Sequence, residues 1–120
     1  MCGPSRVLVI EDDPDTATLF VSVLGEEGIV ADGAAAADLP ARDGYSAVLT
    51  DLAFGHAGYS SEAAVEWVET LRARYGAPVI VVTGQPDARR DDELAAHASD
   101  VIEKPLDIED LVYRVRRVLR

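Results

Sequence analysis

The chain has 120 residues, 48% of them hydrophobic, and this length and composition predict a single globular domain over residues 1–120 with no output domain. The formal net charge of -11 argues against direct binding of nucleic acid by this domain, because such binding needs clustered Lys and Arg. The single cysteine, Cys2, excludes a disulfide framework, and with neither a membrane-length apolar run nor a signal peptide we expect a cytoplasmic protein away from the membrane.

Strands and helices are predicted to alternate along the whole chain. Apolar runs of strand length predict strands over 6–10, 29–32, 45–50, 78–82 and 100–103. Helices are predicted after the cap Asp13, over the alanine-rich run 34–39, after Ser60 or Ser61, over 87–96, and after the cap Asp107. Five β-α units predict an α/β domain with a parallel sheet between two layers of helices.

Several of the predicted strands end abruptly on polar residues. Their unbroken β-branched runs are typical of strands buried on both faces of a parallel sheet. Ligands of such sheets bind at the carboxyl ends of the strands. We therefore expect one edge of the sheet to gather the polar residues that end these runs, namely Glu11, Asp12, Asp51, Thr83 and Lys104.

This set of side chains is suited to a divalent metal and a phosphoryl group. Carboxylates are ligands that Mg²⁺ prefers, and a hydroxyl or an ammonium can bind phosphoryl oxygens. Each residue also has a structural interpretation. Glu11 and Asp12 could favour the start of a helix through its macrodipole, and Thr83 could simply form strand. Lys104 and Pro105 could form a turn, in which the proline is expected to impose an unusual peptide.

Four motifs in order make the chain similar, over essentially its whole length, to the receiver domain of two-component response regulators. They are Val7-Leu8-Val9-Ile10-Glu11-Asp12-Asp13-Pro14, Ala47-Val48-Leu49-Thr50-Asp51-Leu52, Val79-Ile80-Val81-Val82-Thr83-Gly84 and Ile102-Glu103-Lys104-Pro105. The resemblance implies a flavodoxin-like (βα)5 domain with a five-stranded parallel sheet in the order 2-1-3-4-5. It further implies that Asp51 accepts a phosphoryl group from a histidine kinase or phosphotransfer protein, and that this switches the conformation of the domain.

The resemblance also implies roles for the other residues. Thr83 would bind a phosphoryl oxygen, and Lys104 would pair with Asp51 or the phosphoryl group. Mg²⁺ would be held by Glu11, Asp12, Asp51 and the backbone carbonyl of Ala53. Such a domain is not an enzyme with an external substrate, since it catalyses its own phosphorylation and slow dephosphorylation only. Its downstream effector is unknown, and the predicted fourth helix, fifth strand and fifth helix form a face for a partner or a homodimer.

The chain departs from the family pattern at several positions. Val101 replaces the usual aromatic residue three positions before the lysine, and Gly55 replaces a usual proline in the loop after Asp51. The predicted second helix is also short. These departures leave open an alternative function, a receiver-like docking module that works without phosphorylation. Ala53 argues against a hydrolase of the haloacid dehalogenase class, which needs a second aspartate two positions after its nucleophile.

Overall fold

A computed structural model of the chain describes residues 5–52 and 58–119. The described strands are β1 (Arg6–Ile10), β2 (Val30–Ala34), β3 (Ala47–Thr50), β4 (Val79–Thr83) and β5 (Asp100–Glu103). They form one sheet in the order β2-β1-β3-β4-β5, and every pair of neighbours is parallel. The predicted strand order and the flavodoxin-like fold are therefore confirmed.

The helices lie on both faces of this sheet. They are α1 (Pro14–Glu26), α2 (Ser61–Tyr75), α3 (Pro86–Arg89), α4 (Asp92–His97) and α5 (Ile108–Leu119). The predicted N-caps are present, because the side chains of Asp13, Ser60 and Asp107 each accept a hydrogen bond from a backbone N–H of the first turn. Among the described helices, none has the length and apolar character that a membrane crossing needs.

The core consists of two layers, one on each side of the sheet. On one side, Val48 and Val81 pack with Val68 of α2. On the other, Leu49 packs with Leu24 of α1, and Leu111 of α5 belongs to the same cluster. Successive residues of a strand face opposite sides, so an unbroken apolar run supplies both layers at once. Each fully buried Val or Leu side chain contributes about 1.5–3 kcal/mol to the stability of the fold. The sheet is therefore a stable support for the polar residues at the carboxyl ends of its strands.

The prediction of a helix over 34–39 is wrong. Strand β2 continues through Ala34, and residues 35–46 reach β3 without a helix. The local hydrogen bond from the N–H of Asp38 to the carbonyl of Ala35 closes a turn instead. Alanine favours helix, but so short a run cannot nucleate one by propensity alone, and it has no apolar stripe to pack on the sheet. The segment is held from outside, since Tyr75 of α2 donates its hydroxyl to the carbonyl of Pro40 at 2.8 Å.

The predicted helix over 87–96 is divided into the two short helices α3 and α4. The division lies at Asp91, whose side chain accepts hydrogen bonds from the N–H groups of Glu93 and Leu94. An aspartate in a helical stretch can bond the backbone in this way, and it then acts as an N-cap that starts a new helix. The other differences are of one to three residues at strand and helix ends. Leu19 of α1 is apolar but 48% exposed.

Candidate functional site

Three of the predicted site residues meet at the carboxyl edge of the sheet. The Nζ of Lys104 donates a hydrogen bond to Oε2 of Glu11 at 2.9 Å, and it lies 3.4 Å from Oδ2 of Asp51. Glu11 follows β1 and Asp51 follows β3, and these strands are direct neighbours in the sheet. Lys104 follows β5, so its long side chain reaches back past the end of β4 to Asp51, and past the ends of β4 and β3 to Glu11.

Backbone groups hold Asp51 in place. Its N–H donates to the carbonyl of Ile10 at 3.0 Å, which extends the pairing of β1 and β3 by one residue. The N–H of Leu52 donates to Oδ1 of Asp51 at 2.7 Å, while Oδ2 faces the ammonium of Lys104. The Asp51 side chain is 23% exposed, so an external group can reach it. An oriented carboxylate beside a fixed cation is suited to attack an electrophile that carries negative charge.

Glu11 is the buried acid of the site, with a side chain that is only 4% exposed. Burial raises the pKa of the Glu11 carboxyl, and the charge of Asp51 adds to this rise, while Lys104 and the N–H of Asp13 oppose it. For Lys104, burial lowers the pKa of the ammonium, but the two carboxylates raise it by more, and the net pKa is above its usual value. Lys104 is therefore charged at neutral pH and compensates two acids at once.

Asp12 lies apart from this ion-paired group. It is exposed, and its Oδ1 accepts a long hydrogen bond of 3.4 Å from the N–H of Ala36, in the segment that replaces the predicted second helix. Across residues 5–52 and 58–119, no three carboxylate, histidine or cysteine side chains converge as a group that could hold a metal. Ala53, the predicted backbone ligand, lies outside the described residues. The assignment of metal ligands stays a prediction.

Thr83 ends β4 and is completely buried. Its Oγ1 accepts a hydrogen bond from the N–H of Gln85 at 3.0 Å, and its carbonyl accepts one from the N–H of Lys104 at 2.8 Å. The main chain thus places Lys104 beside Thr83, and the next peptide, between Lys104 and Pro105, is cis, which confirms the unusual peptide expected there. The role of Thr83 toward a phosphoryl group stays a prediction.

Two residues that the sequence analysis did not assign to the site are linked to Asp51. The hydroxyl of Thr50 donates to the carbonyl of Asp51 at 2.8 Å, and Nε1 of Trp67 donates to Oγ1 of Thr50 at 2.9 Å. The sequence gives one indication of this link, because Thr50 ends a buried apolar run and a buried hydroxyl needs hydrogen-bond partners. Its partner could not be predicted, since Trp67 lies on α2, seventeen residues away in the chain.

Comparison with known proteins identifies the family of this chain. Residues 7–116 match the response regulator receiver domain. The chain is 31% identical over 121 residues to the transcriptional activator protein IrlR of Burkholderia pseudomallei, covering 96% of this chain and 50% of that protein. It is 35% identical over 123 residues to the sensory transduction protein RegX3 of Mycobacterium tuberculosis, covering 97% and 51%. The chain thus spans about half the length of the curated relatives it matches.

Solved structures of response regulators have a similar fold. A response regulator receiver domain (CheY-like) from Methylobacillus flagellatus is similar with a TM-score of 0.75 and 25% identity, covering 97% of this chain and 99% of that one. A response regulator from Thermotoga maritima has a TM-score of 0.77 at 18% identity, with 98% of both chains covered, and shows the likeness of the fold. The sequence match over nearly the whole chain and the shared fold lead to one conclusion: this chain belongs to the response regulator receiver domain family.

Proposed function

We propose that Asp51 is the phosphoacceptor of a two-component response regulator and takes its phosphoryl group from a histidine kinase or a phosphotransfer protein. The observation that carries this proposal is the position of the Lys104 ammonium, 2.9 Å from the buried Glu11 and 3.4 Å from the partly exposed Asp51. A carboxylate beside a cation can act as a covalent nucleophile toward a phosphoryl group, because the cation stabilises the added negative charge. Membership of the receiver family supports the same function.

In the proposed reaction, a carboxylate oxygen of Asp51 forms a bond to phosphorus while the bond between phosphorus and the donor's histidine nitrogen breaks. The leaving imidazole takes up a proton from water, and the phosphoryl group remains on Asp51 as an acyl phosphate. Lys104 stabilises the added negative charge, because its ammonium already lies on the Oδ2 side of the carboxylate. The Leu52 N–H holds Oδ1 and so limits rotation of the carboxylate. We assign to Thr83 a hydrogen bond to a phosphoryl oxygen.

We further propose Mg²⁺ as the cofactor, held by Glu11, Asp12, Asp51 and the backbone carbonyl of Ala53. The donor set fits this ion, because Mg²⁺ binds directly through one or two carboxylates and retains several waters, so Asp12 and Asp51 would bind it directly and Glu11 through a retained water. Asp12 is exposed and can turn toward Asp51 at the cost of one long hydrogen bond. When bound, the ion neutralises the repulsion between the carboxylates and the phosphoryl oxygens.

The proposal includes slow self-dephosphorylation and a location in the cytoplasm, where a lone cysteine stays reduced. It also includes an effector or a second copy of the domain that binds a face made of α4, β5 and α5. On this face, Arg114 of α5 joins Asp100 of β5 at 2.9 Å and Asp110 at 3.0 Å. These ion pairs give the face a charged pattern that a partner could recognise.

Intact-mass measurement after incubation with acetyl phosphate and Mg²⁺ tests the proposal. One added phosphoryl group is expected in the unmodified chain and in Asp32→Asn, a matched control because Asp32 is a partly buried carboxylate of β2 bound by Arg6 and Tyr45. The adduct should be lost in Asp51→Asn and in the presence of EDTA. Absence of any adduct, together with no binding of Mg²⁺, would contradict the proposal and support the phosphorylation-independent docking module.

A further inference from the structure

We propose that Thr50 and Trp67 are positioning residues that orient the phosphoacceptor carboxylate through the peptide between Asp51 and Leu52. This inference rests on the proposed function of Asp51. It concerns two side chains that do not touch the incoming phosphoryl group and act through the main chain. The observation that suggests it is a series of hydrogen bonds, linked through one peptide, that connects α2 to the Asp51 side chain.

The series has three hydrogen bonds. The indole Nε1 of Trp67 donates to Oγ1 of Thr50 at 2.9 Å, and the Thr50 hydroxyl donates to the carbonyl of Asp51 at 2.8 Å. The N–H of Leu52 then donates to Oδ1 of Asp51 at 2.7 Å. The Asp51 carbonyl and the Leu52 N–H are the two polar groups of one planar peptide. The bond that holds the carbonyl therefore also fixes the direction of the N–H that holds the carboxylate.

The burial of Thr50 limits the partners with which its hydroxyl can form hydrogen bonds. Thr50 is 1% exposed, so its hydroxyl must find its partners within the protein. One hydroxyl can donate one hydrogen bond and accept others, and Thr50 uses both functions here. In surroundings of low dielectric constant, consecutive hydrogen bonds polarise and strengthen one another. Valine at position 50 would have nearly the same shape, but it would leave the Trp67 N–H and the Asp51 carbonyl without this partner.

The peptide needs this outside support because of where it lies. Strand β3 ends at Thr50, so the peptide after Asp51 lies beyond the last residue of the sheet ladder. If this peptide rotates, the Leu52 N–H moves away from Oδ1 and the carboxylate can turn relative to Lys104. Trp67 belongs to α2 and packs against the buried core, so it supplies a rigid anchor. A misplacement of about 1 Å in a reacting group can lower a rate by about a hundredfold.

The matched variants are Thr50→Val, which removes the hydroxyl, Thr50→Ser, which keeps it, and Trp67→Phe, which removes the indole N–H. Tyr75→Phe is the control, because it also deletes an aromatic hydrogen-bond donor of α2, at 2.8 Å from the carbonyl of Pro40 and away from the site. The measured quantities are the rate of phosphorylation by acetyl phosphate with Mg²⁺ and the amide resonance of Leu52 by NMR. The NMR measurement needs no phosphorylation.

We expect Thr50→Val and Trp67→Phe to phosphorylate about ten- to a hundredfold more slowly and to shift the Leu52 amide resonance. Thr50→Ser and Tyr75→Phe should keep the rate and the resonance of the unmodified chain. The double variant of Thr50→Val and Trp67→Phe should be no slower than Thr50→Val, because both changes interrupt the same series.

The inference is overturned if Thr50→Val or Trp67→Phe retains the full rate, or if the Leu52 amide shift is no larger than in Tyr75→Phe. Rescue by Thr50→Ser separates a hydroxyl effect from a general loss of packing. A failure of this inference can be told from a failure of the proposed function. An unmodified chain that accepts no phosphoryl group overturns the proposed function, whereas an active chain with an unimpaired Thr50→Val overturns the positioning role alone.

Discussion

Replacing Lys104 with methionine tests the charge balance of the site directly. The change keeps an unbranched side chain as far as Cε and removes the ammonium that lies 2.9 Å from Glu11. Glu11 is then left as a buried carboxylate with no cation, and its side chain has only 4% exposure through which water could replace the lost partner. We therefore expect Lys104→Met to lower the free energy of unfolding, provided that no metal is present to take over the compensation.

The magnitude follows from the exposure of the two partners. Breaking a fully buried ion pair costs about 3–5 kcal/mol, and a hydrogen bond to a charged group contributes about 1.5–3 kcal/mol. The Lys104 side chain is 27% exposed, which places the loss in the lower range, about 1.5–3 kcal/mol. For a domain of this size, the expected fall in melting temperature is about 5–15 °C.

Thermal and urea unfolding in EDTA at pH 7 would measure this loss. Arg6→Met is the control, because the Arg6–Asp32 pair has a similar distance of 3.0 Å but both side chains are about a third exposed. It should cost about 1 kcal/mol or less. The double variant of Glu11→Gln and Lys104→Met should recover most of the loss, since an amide leaves no buried charge. A Lys104→Met loss no larger than that of Arg6→Met, or strict additivity in the double variant, would refute this reasoning.

Three further predictions concern single residues. A carboxyl whose pKa is raised on folding, as burial raises that of Glu11, stabilises the fold below its unfolded pKa of 4.5, and this contribution is lost as the pH rises through the folded pKa. In EDTA, Glu11→Gln should therefore gain free energy of unfolding relative to the unmodified chain between pH 4.5 and 7, and equal pH profiles in urea unfolding would contradict this. Asp12→Ala should weaken Mg²⁺ binding by about tenfold or more in calorimetry, yet change stability in EDTA by no more than about 0.5 kcal/mol, because Asp12 is exposed. Asp91→Ala should cost about 1–2 kcal/mol in thermal unfolding, since it removes the N-cap of α4 and one hydrogen bond of the Tyr59 hydroxyl. Asp91→Asn should retain most of that stability, and equal losses in the two variants would argue against the cap.

The fold could be predicted because its determinants are local. An unbroken run such as Val79–Val82 belongs to a strand covered on both faces, and such strands occur in parallel sheets with helices on each side. The prediction over 34–39 failed because alanine propensity is a weak preference that gives no packing. Instead, residues 35–46 are held in place by two hydrogen bonds, which Arg74 and Tyr75 of α2 donate to the carbonyl of Pro40. The partners of these two hydrogen bonds are separated by 34 and 35 positions in the chain, so no local sequence pattern predicts them.

The candidate site could likewise be predicted only in part. That acids and a lysine end the strands follows from the residue order alone, and a parallel sheet must bring the carboxyl ends of its strands to one edge. The three-dimensional fold was needed to show that Lys104 pairs with Glu11 and Asp51 while Asp12 lies apart. It was also needed to show that Trp67 and Thr50 are hydrogen-bonded to the Asp51 peptide. A residue pattern specifies only which side of a strand or helix a side chain occupies. Which side chains meet depends on the order of the strands and on the helix packed over them, and these are properties of the whole fold.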